Sequence, residues 1–265
     1  MSHNIMIPTL QAKLKSMYSK MLNLEEYKEL IMLENLKDVT NLLKQKFPML
    51  ENLNESMGRK EIEVELSNLF LFDIKKIYTY LSDDEKDFCD LFLSKYVIIS
   101  GKDTEDKETD GKVMRQLYDK AKGNRKLKDI IGTEIDILNL QWIYRSKKYF
   151  MYDEDEIKNI LIPGEYKLTS KEIKNLIMTD ADRIYDEIQE TEYGKIVKNE
   201  KSIYWDCDRF LYKKNLKYFR EASFDFVIVI CYFNLLGFEI KNMINIIESI
   251  RYKSNKEELQ KMIIV

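Results

Sequence analysis

Apolar residues near the start of the chain recur at alternating spacings of three and four. They are Ile7, Leu10, Leu14, Met17, Met21 and Leu24. Positions at these spacings share one face of an α-helix, because the helix has about 3.6 residues per turn. The pattern therefore predicts a first helix with one face to bury.

Further helix starts are indicated by four-residue capping motifs, in which a polar side chain and a later Glu satisfy each other's free backbone donors. These motifs begin at Asn23, Ser82, Asp153, Thr169 and Ser254. We predict that the first of these helices runs to about Lys46, that a turn falls at Pro163-Gly164, and that Gly237 precedes a final pair of helices. One further helix is predicted through Ile135, Leu138, Trp142 and Ile143.

The scarcity of turn residues supports an all-α fold. The chain has only 8 Gly and 3 Pro, too few for the many turns that short strands need. The segment KDTEDKETD (102–110) lies between two glycines and has no apolar residue. We predict that residues 101–111 form a charged loop or linker.

Part of the sequence is repeated. The segment LNLEEYKELIMLENLKDVTNLLKQKFP (22–48) aligns without a gap on LTSKEIKNLIMTDADRIYDEIQETEYG (168–194), 146 positions later. The alignment places Asn23 and Glu26 on Thr169 and Glu172, and Phe47 on Tyr193. A weaker pairing, with one residue of slippage, places the Asn139 helix on the Asn242 helix. The matches predict a duplicated helical module.

Charge and cysteine content exclude several classes of protein. Lys plus Arg (43) nearly balances Asp plus Glu (46), which does not favour nucleic-acid binding. Cys89, Cys207 and Cys231 show no CxxC spacing and are predicted to be reduced thiols. No signal peptide is recognisable, and Phe226 to Phe238 is predicted to be a buried core helix rather than a membrane span. These features predict a cytoplasmic protein.

The sequence offers little for an active site. The only histidine is His3, which excludes His-based triads and most His-ligated metal sites. There is no GxxxxGK[ST] or GxGxxG loop to bind a nucleotide. The acidic clusters at 83–85 and 153–156 could bind Mg²⁺ in an enzyme, but at helix starts we interpret them as caps. We predict no catalytic residue, no metal and no cofactor.

Polar residues beside an apolar helical stripe are the remaining candidates for a site. Glu134, Asp136 and Asn139 could form a ligand site or could connect neighbouring helices, because buried polar groups are costly unless paired. We favour the second interpretation and expect Asn139 and Asn242 to bond to loop backbone in the two copies.

An ordered series of segments resembles one family of V-type and A-type ATPase components, the C-type subunits, whose eukaryotic counterparts are the d-type subunits. The segments are AKLKSMYSKMLNLEEYKEL (12–30), EIDILNLQWIYRSKK (134–148), NILIPGEYKLTSKEI (159–173), the turn at 191–194, and GFEIKNMINIIESIRYKSNKEEL (237–259). The motif positions carried over from the family are Glu134, Asp136, Asn139, Arg145, Tyr193, Glu239 and Asn242. No single segment is diagnostic, but their order is.

Three departures from the family pattern stand out. Family members usually carry three copies of the module, whereas this chain is short by most of one, and the YVIISGK segment (96–102) is degenerate. Glu248 also stands where a basic residue is usual. We therefore predict an N-terminal module (1–100), the charged linker (101–111), a remnant of the middle module (112–163) and a C-terminal module (164–265).

The resemblance implies a non-catalytic coupling subunit with a funnel-like body of helical bundles. Its partners would be the membrane rotor ring and the central-stalk subunits of a proton- or sodium-translocating rotary ATPase. It would be monomeric in isolation and peripheral on the cytoplasmic face of the membrane. The alternative is a free-standing helical adaptor that has lost the rotary role.

Overall fold

The protein is all-α, as predicted, in a computed structural model that describes residues 3–96, 107–164, 166–221 and 225–265. These residues form thirteen α-helices and no β-strand. The helices are α1 (His3–Tyr18), α2 (Leu24–Met32), α3 (Leu36–Lys46), α4 (Arg59–Ile77), α5 (Asp83–Leu93), α6 (Lys107–Lys120), α7 (Arg125–Arg145), α8 (Glu154–Ile160), α9 (Ser170–Met178), α10 (Ile184–Gln189), α11 (Ile203–Glu221), α12 (Val227–Arg251) and α13 (Lys256–Met262). Short 3₁₀ turns lie at Tyr78–Tyr80, Ala121–Gly123, Gly194–Ile196 and Glu200–Ser202.

Four of the five predicted capping motifs are confirmed. Asn23, Ser82, Asp153 and Thr169 cap α2, α5, α8 and α9, each with the reciprocal hydrogen bonds of a capping box. The acidic clusters at 83–85 and 153–156 accordingly lie at the start of α5 and α8. The predicted turn at Pro163-Gly164 is also present, with Gly164 at a φ of 133°, a conformation that favours glycine.

The predicted helix from Asn23 to Lys46 is in fact two helices. The chain leaves the helical conformation at Leu33, whose ψ is 151°, and α3 starts after Asn35. The Asn35 side chain accepts a hydrogen bond from the backbone N–H of Asp38. The break arises because Asn is among the best N-cap residues, a signal that the apolar pattern alone does not carry.

Two predictions about the end of the chain were wrong in detail. Gly237 does not precede a helix pair but lies inside α12. A Cβ atom at Gly237 would lie 2.8 Å from a ring carbon of Tyr96, so the glycine permits close packing rather than ending a helix. Helix α13 is capped by Asn255, which accepts from the N–H of Glu257, and not by Ser254.

The middle of the chain is described only in part. Helix α6 begins at Lys107, inside the segment that was predicted to be a charged loop. The rest of that prediction, residues 101–106, lies outside the described residues, as do residues 97–100 of the degenerate YVIISGK segment. The predicted module boundaries stay predictions.

The chain divides into two compact units. The first contains Met1–Lys102 and Asn215–Val265, and the second contains Asp103–Lys214. In the first unit α12 packs against α1, α2, α3, α4 and α13. In the second unit α7 packs against α6, α8, α9 and α10. Each unit therefore has one long helix, α12 or α7, that contacts most of the others.

Helices α2 and α9 are structurally equivalent, as the repeat predicts. Both have nine residues, both start from a capping box, and their positions differ by the same 146 residues as the sequence alignment. Their last residues, Met32 and Met178, are 57% and 59% exposed, and both helices end in an extended residue. Matching burial at matching positions supports a duplicated module.

The one-residue slippage between the two long helices has a structural cause. Helix α7 continues into a five-residue π-helix, Ser146–Phe150, whereas α12 stays α-helical to Arg251. Both then reach a left-handed residue, Met151 at a φ of 52° and Lys253 at 51°. A π-helix accommodates one residue more than an α-helix in the same span, and α7 contains that extra residue.

Helix α12 is long and apolar enough to cross a membrane by length and composition alone, but 78% of its most apolar window is buried inside the protein. Every residue from Val227 to Leu236 is buried. A helix that is apolar on all sides is typical of the core of a large soluble protein as well as of a membrane span. The burial agrees with the prediction of a core helix.

Candidate functional site: two acid–asparagine pairs

Asn139 on α7 holds the segment that follows α8. Its side-chain amide donates to the carbonyl oxygen of Ile162 at 2.9 Å, and the Ile162 N–H donates to Asn139 Oδ1 at 2.8 Å. All these groups are buried. The Asn139 side chain thus pairs both backbone hydrogen-bonding groups of Ile162, which would otherwise be buried without these partners.

Asn242 on α12 makes the same contact in the first unit. Its amide donates to the carbonyl of Ile264 at 2.8 Å, and the Ile264 N–H donates to Asn242 Oδ1 at 3.1 Å. The partner lies 22 residues along the chain, against 23 for Asn139. The backbone contacts expected for the two asparagines are therefore present in both copies.

Asp136 precedes Asn139 by one helical turn and accepts three hydrogen bonds. Oδ2 accepts from the backbone N–H groups of Lys167 and Leu168, at 2.8 and 3.0 Å, and from the Tyr193 hydroxyl at 2.7 Å. Burial raises the pKa of Asp136, and these three donors oppose the shift. The carboxyl group fixes the start of α9 to α7 and to the turn that contains Tyr193.

Glu239 precedes Asn242 by the same spacing. Its Oε1 accepts from the backbone N–H of Leu22 at 2.6 Å, just before the Asn23 cap of α2. Its Oε2 is buried and has no hydrogen-bond partner among the described residues. Burial raises the pKa of Glu239 to about 8, so the carboxyl group is mainly protonated at neutral pH.

The two acid–asparagine pairs, Asp136 with Asn139 and Glu239 with Asn242, are equivalent in the two units. Leu22 and Leu168, whose N–H groups the acids bind, are 146 positions apart, as are Phe47 and Tyr193. Phe47 has no hydroxyl group to donate where Tyr193 has one. Among the described residues, Glu239 therefore lacks the tyrosine donor that Asp136 has.

The remaining predicted positions lie outside these pairs. Glu134 is half-buried, two residues before Asp136 on α7. Arg145 is exposed at the end of α7, with its guanidinium group 5.0 Å from the centre of the Phe150 ring. Glu248 pairs with Arg251 at 2.6 Å.

The sequence did not identify the backbone partners of the two acids. The contact between Leu22 and Glu239 joins residues 217 positions apart, and neither Lys167 nor Ile162 carries a side-chain signal. The one usable signal was the repeat alignment, which places Leu22 on Leu168 and Phe47 on Tyr193.

The contacts of the two pairs connect helices and loops. The acids and asparagines of both pairs are buried and bonded mainly to backbone groups. No cluster of His, Cys, Asp or Glu that could hold a metal is present in the described part of the chain. Burial raises the pKa of the Cys89 thiol, and that of Cys207 to about 12, so neither thiol is an activated nucleophile.

Replacing Asn139 or Asn242 with alanine is expected to lower the free energy of unfolding by about 2–3 kcal/mol, because each change leaves a buried N–H and a buried carbonyl unpaired. Urea unfolding followed by circular dichroism measures the change. Asn175→Ala, at an exposed position of α9, is the matched control and should shift stability by less than about 0.5 kcal/mol. Equal losses of unfolding free energy at the three positions would contradict the structural role of Asn139 and Asn242.

Comparison with known families gives a match along nearly the whole chain. The sequence model of the family described as ATP synthase (C/AC39) subunit matches residues 10–102 and 106–262. A search of curated proteins finds no match.

Proposed function

Because the chain belongs to the ATP synthase (C/AC39) subunit family, we propose that it is the coupling subunit of a V/A-type rotary ATPase. In this role it connects the central stalk to the membrane rotor ring, on the cytoplasmic face of the membrane. The observation that carries the proposal is the family match over residues 10–102 and 106–262. The family is an accessory, non-catalytic part of the ATPase, so ATP chemistry belongs to the partner subunits.

A coupling subunit has to transmit torque, which requires stiff units. The acid–asparagine pairs support this role, because they connect segments that are distant in sequence through buried hydrogen bonds. Asp136 alone binds backbone and side-chain donors on residues 31 to 57 positions away. Close-packed interiors deform little, and satisfied buried polar groups add directional constraints to that packing.

The shortened chain fits a coupling subunit that has lost most of one module. The family pattern has three copies of the module, and two equivalent helix sets are described here. We propose that the missing copy lay between them, near the charged segment at 101–111. The retained copies keep their capping boxes and their acid–asparagine pairs.

Exposed apolar side chains supply candidate contacts for the partner subunits. Tyr149 and Met151 are 65% and 88% exposed after α7, and Tyr252 is 72% exposed after α12. They occupy equivalent turns in the two units. Large aromatic side chains are enriched at the energetic centres of interfaces, so we place partner contacts at these turns.

Co-purification tests the proposed function. The tagged chain, expressed in its own cells and extracted with mild detergent, is expected to bring down the rotor-ring and stalk subunits. The paired variant Tyr149→Ala/Tyr252→Ala should reduce that recovery, because it removes two exposed anchors. Leu24→Ala, at another exposed apolar position, is the matched control and should leave recovery unchanged.

Two results would contradict the proposal. Recovery of the tagged chain alone, or only with proteins unrelated to the ATPase, would favour the alternative of a free-standing helical adaptor. Substrate turnover by the purified chain in the absence of partners would contradict the non-catalytic assignment.

A further inference from the structure

The first unit contains a pocket of about 420 Å³ between α1, α3, α4 and α12. This volume lies within the range of about 300–1,000 Å³ that is typical of small-molecule sites. Most of its wall is apolar, and includes Met17, Met21, Leu69 and Leu236. Such a wall fits the hydrocarbon part of a ligand.

Three lysines, Lys20, Lys46 and Lys76, also line the pocket. Lys46 pairs with Glu26 at 2.5 Å, and Lys76 with Asp73 at 2.7 Å. Lys20 is exposed and has no ion-pair partner among the described residues. The Lys46–Glu26 and Lys76–Asp73 pairs are each neutral, so Lys20 supplies the net positive charge at the pocket, which favours an anionic ligand.

The pocket wall also includes a carboxyl group with one oxygen that has no partner in the described part of the chain. Glu239 lines the pocket, is only 4% exposed, and its Oε2 has no partner among the described residues. A buried polar atom without a partner is costly, and a bound ligand is one way to satisfy it. Because the carboxyl group is mainly protonated at neutral pH, it can donate a hydrogen bond to an anionic oxygen.

The other polar side chains of the wall are already paired. Tyr232 donates its hydroxyl group to Asp73, and Asp73 also accepts from Lys76. Together they present no free negative charge that would repel an anion. The groups that remain for a ligand are the Lys20 ammonium group, the N–H donors of Lys46 that do not bind Glu26, and Glu239.

We propose that this pocket binds a small amphiphilic carboxylate, whose hydrocarbon part lies on the methionine and leucine wall and whose carboxylate contacts Glu239 and the lysine ammonium groups. The site lies within the first unit and does not depend on the rotary assignment. No catalytic step is involved, since the pocket contains no activated nucleophile.

Calorimetric titration of the full chain with decanoate tests the proposal. Saturable binding to one site is expected. Decanol, which lacks the charge, and decylammonium, which has the opposite charge, should bind at least about tenfold more weakly, a difference of about 1.4 kcal/mol. Inorganic phosphate, which lacks the apolar part, should not compete with decanoate.

Two double variants with the same change in net charge test whether decanoate binds in this pocket. Lys20→Met/Lys46→Met should weaken decanoate binding at least tenfold. Lys15→Met/Lys37→Met changes the net charge equally at exposed positions of the same unit that do not line the pocket, and should leave binding unchanged. Circular dichroism of both double variants shows whether each is folded, and comparison is made only between folded proteins.

Several results would overturn the proposal. They are the absence of saturable decanoate binding, binding of decylammonium as tight as that of decanoate, and an equal loss of decanoate affinity in the two double variants. Binding to vesicles of anionic phospholipid without binding to free decanoate would also overturn it, because it would assign the lysines to a membrane surface. None of these results bears on recovery of the rotor ring and stalk.

Discussion

Replacing Asp136 with alanine is expected to lower the free energy of unfolding by about 3–5 kcal/mol, since it removes the acceptor of three donors. These are the backbone N–H groups of Lys167 and Leu168 and the hydroxyl group of Tyr193. Urea unfolding followed by circular dichroism gives the free energy. Amide hydrogen exchange should also speed up at Lys167 and Leu168, because both protons lose their acceptor.

Asp136→Asn is the matched control for this substitution. Its side-chain oxygen can still accept hydrogen bonds at this place, but it has two lone pairs for three donors and no negative charge, so the expected loss is about 1–2 kcal/mol, smaller than for alanine. Tyr193→Phe removes one donor and should have an effect of the same size. An alanine variant no less stable than the asparagine variant would show that the three hydrogen bonds do not fix the start of α9.

The second large effect is expected from Glu239, whose ionisation should make the stability of the protein depend on pH. Burial raises its pKa to about 8 in the folded protein, against about 4.3 in an unfolded chain. Folding therefore favours the protonated form. The stability that comes from this group is fully present below about pH 4.3 and is lost as the pH rises through about 8.

The Glu239→Gln variant cannot ionise and should not show this loss. From pH 5 to pH 9, the wild-type protein is expected to lose about 3–5 kcal/mol of unfolding free energy relative to the variant, at about 1.4 kcal/mol per pKa unit. Urea unfolding of both proteins across this range measures the difference. Curves that stay parallel would contradict the raised pKa.

Phe47→Tyr provides a second test at the same place. The repeat alignment puts a tyrosine hydroxyl group at the equivalent position of the second unit, where it donates to Asp136. A hydroxyl group that reaches Glu239 would stabilise the ionised form and lower its pKa. The pH dependence of stability should then be weaker than in the wild-type protein, whereas Phe47→Leu should leave it unchanged.

Local signals predicted the helix starts well. A capping box is a contact among four consecutive residues, so the motifs at Asn23, Ser82, Asp153 and Thr169 could be identified before any tertiary structure was known. The error at Gly237 has the complementary cause. The prediction for Gly237 was wrong because its close contact with Tyr96, which explains a glycine there, joins residues far apart in sequence.

The sequence predicted which side chains of the candidate site need hydrogen-bond partners, but it did not predict what those partners are. The cost of burying an unpaired amide indicated that Asn139 and Asn242 must bond to other groups. Their partners are the backbone atoms of Ile162 and Ile264, and backbone atoms are the same in every residue. No sequence pattern could therefore identify them.

The sequence by itself determined the all-α class, the capped helix starts and the duplication, because helix propensity, capping and repetition depend on residues close together in the chain or on direct comparison of segments. Only the tertiary structure decided that Glu239 meets the backbone of Leu22, 217 positions away, and that its second oxygen, beside a lysine-lined pocket, has no partner among the residues that the structure describes. Contacts of this kind depend on how helices pack in three dimensions, and the packing is fixed by the shapes of many side chains together rather than by any one motif.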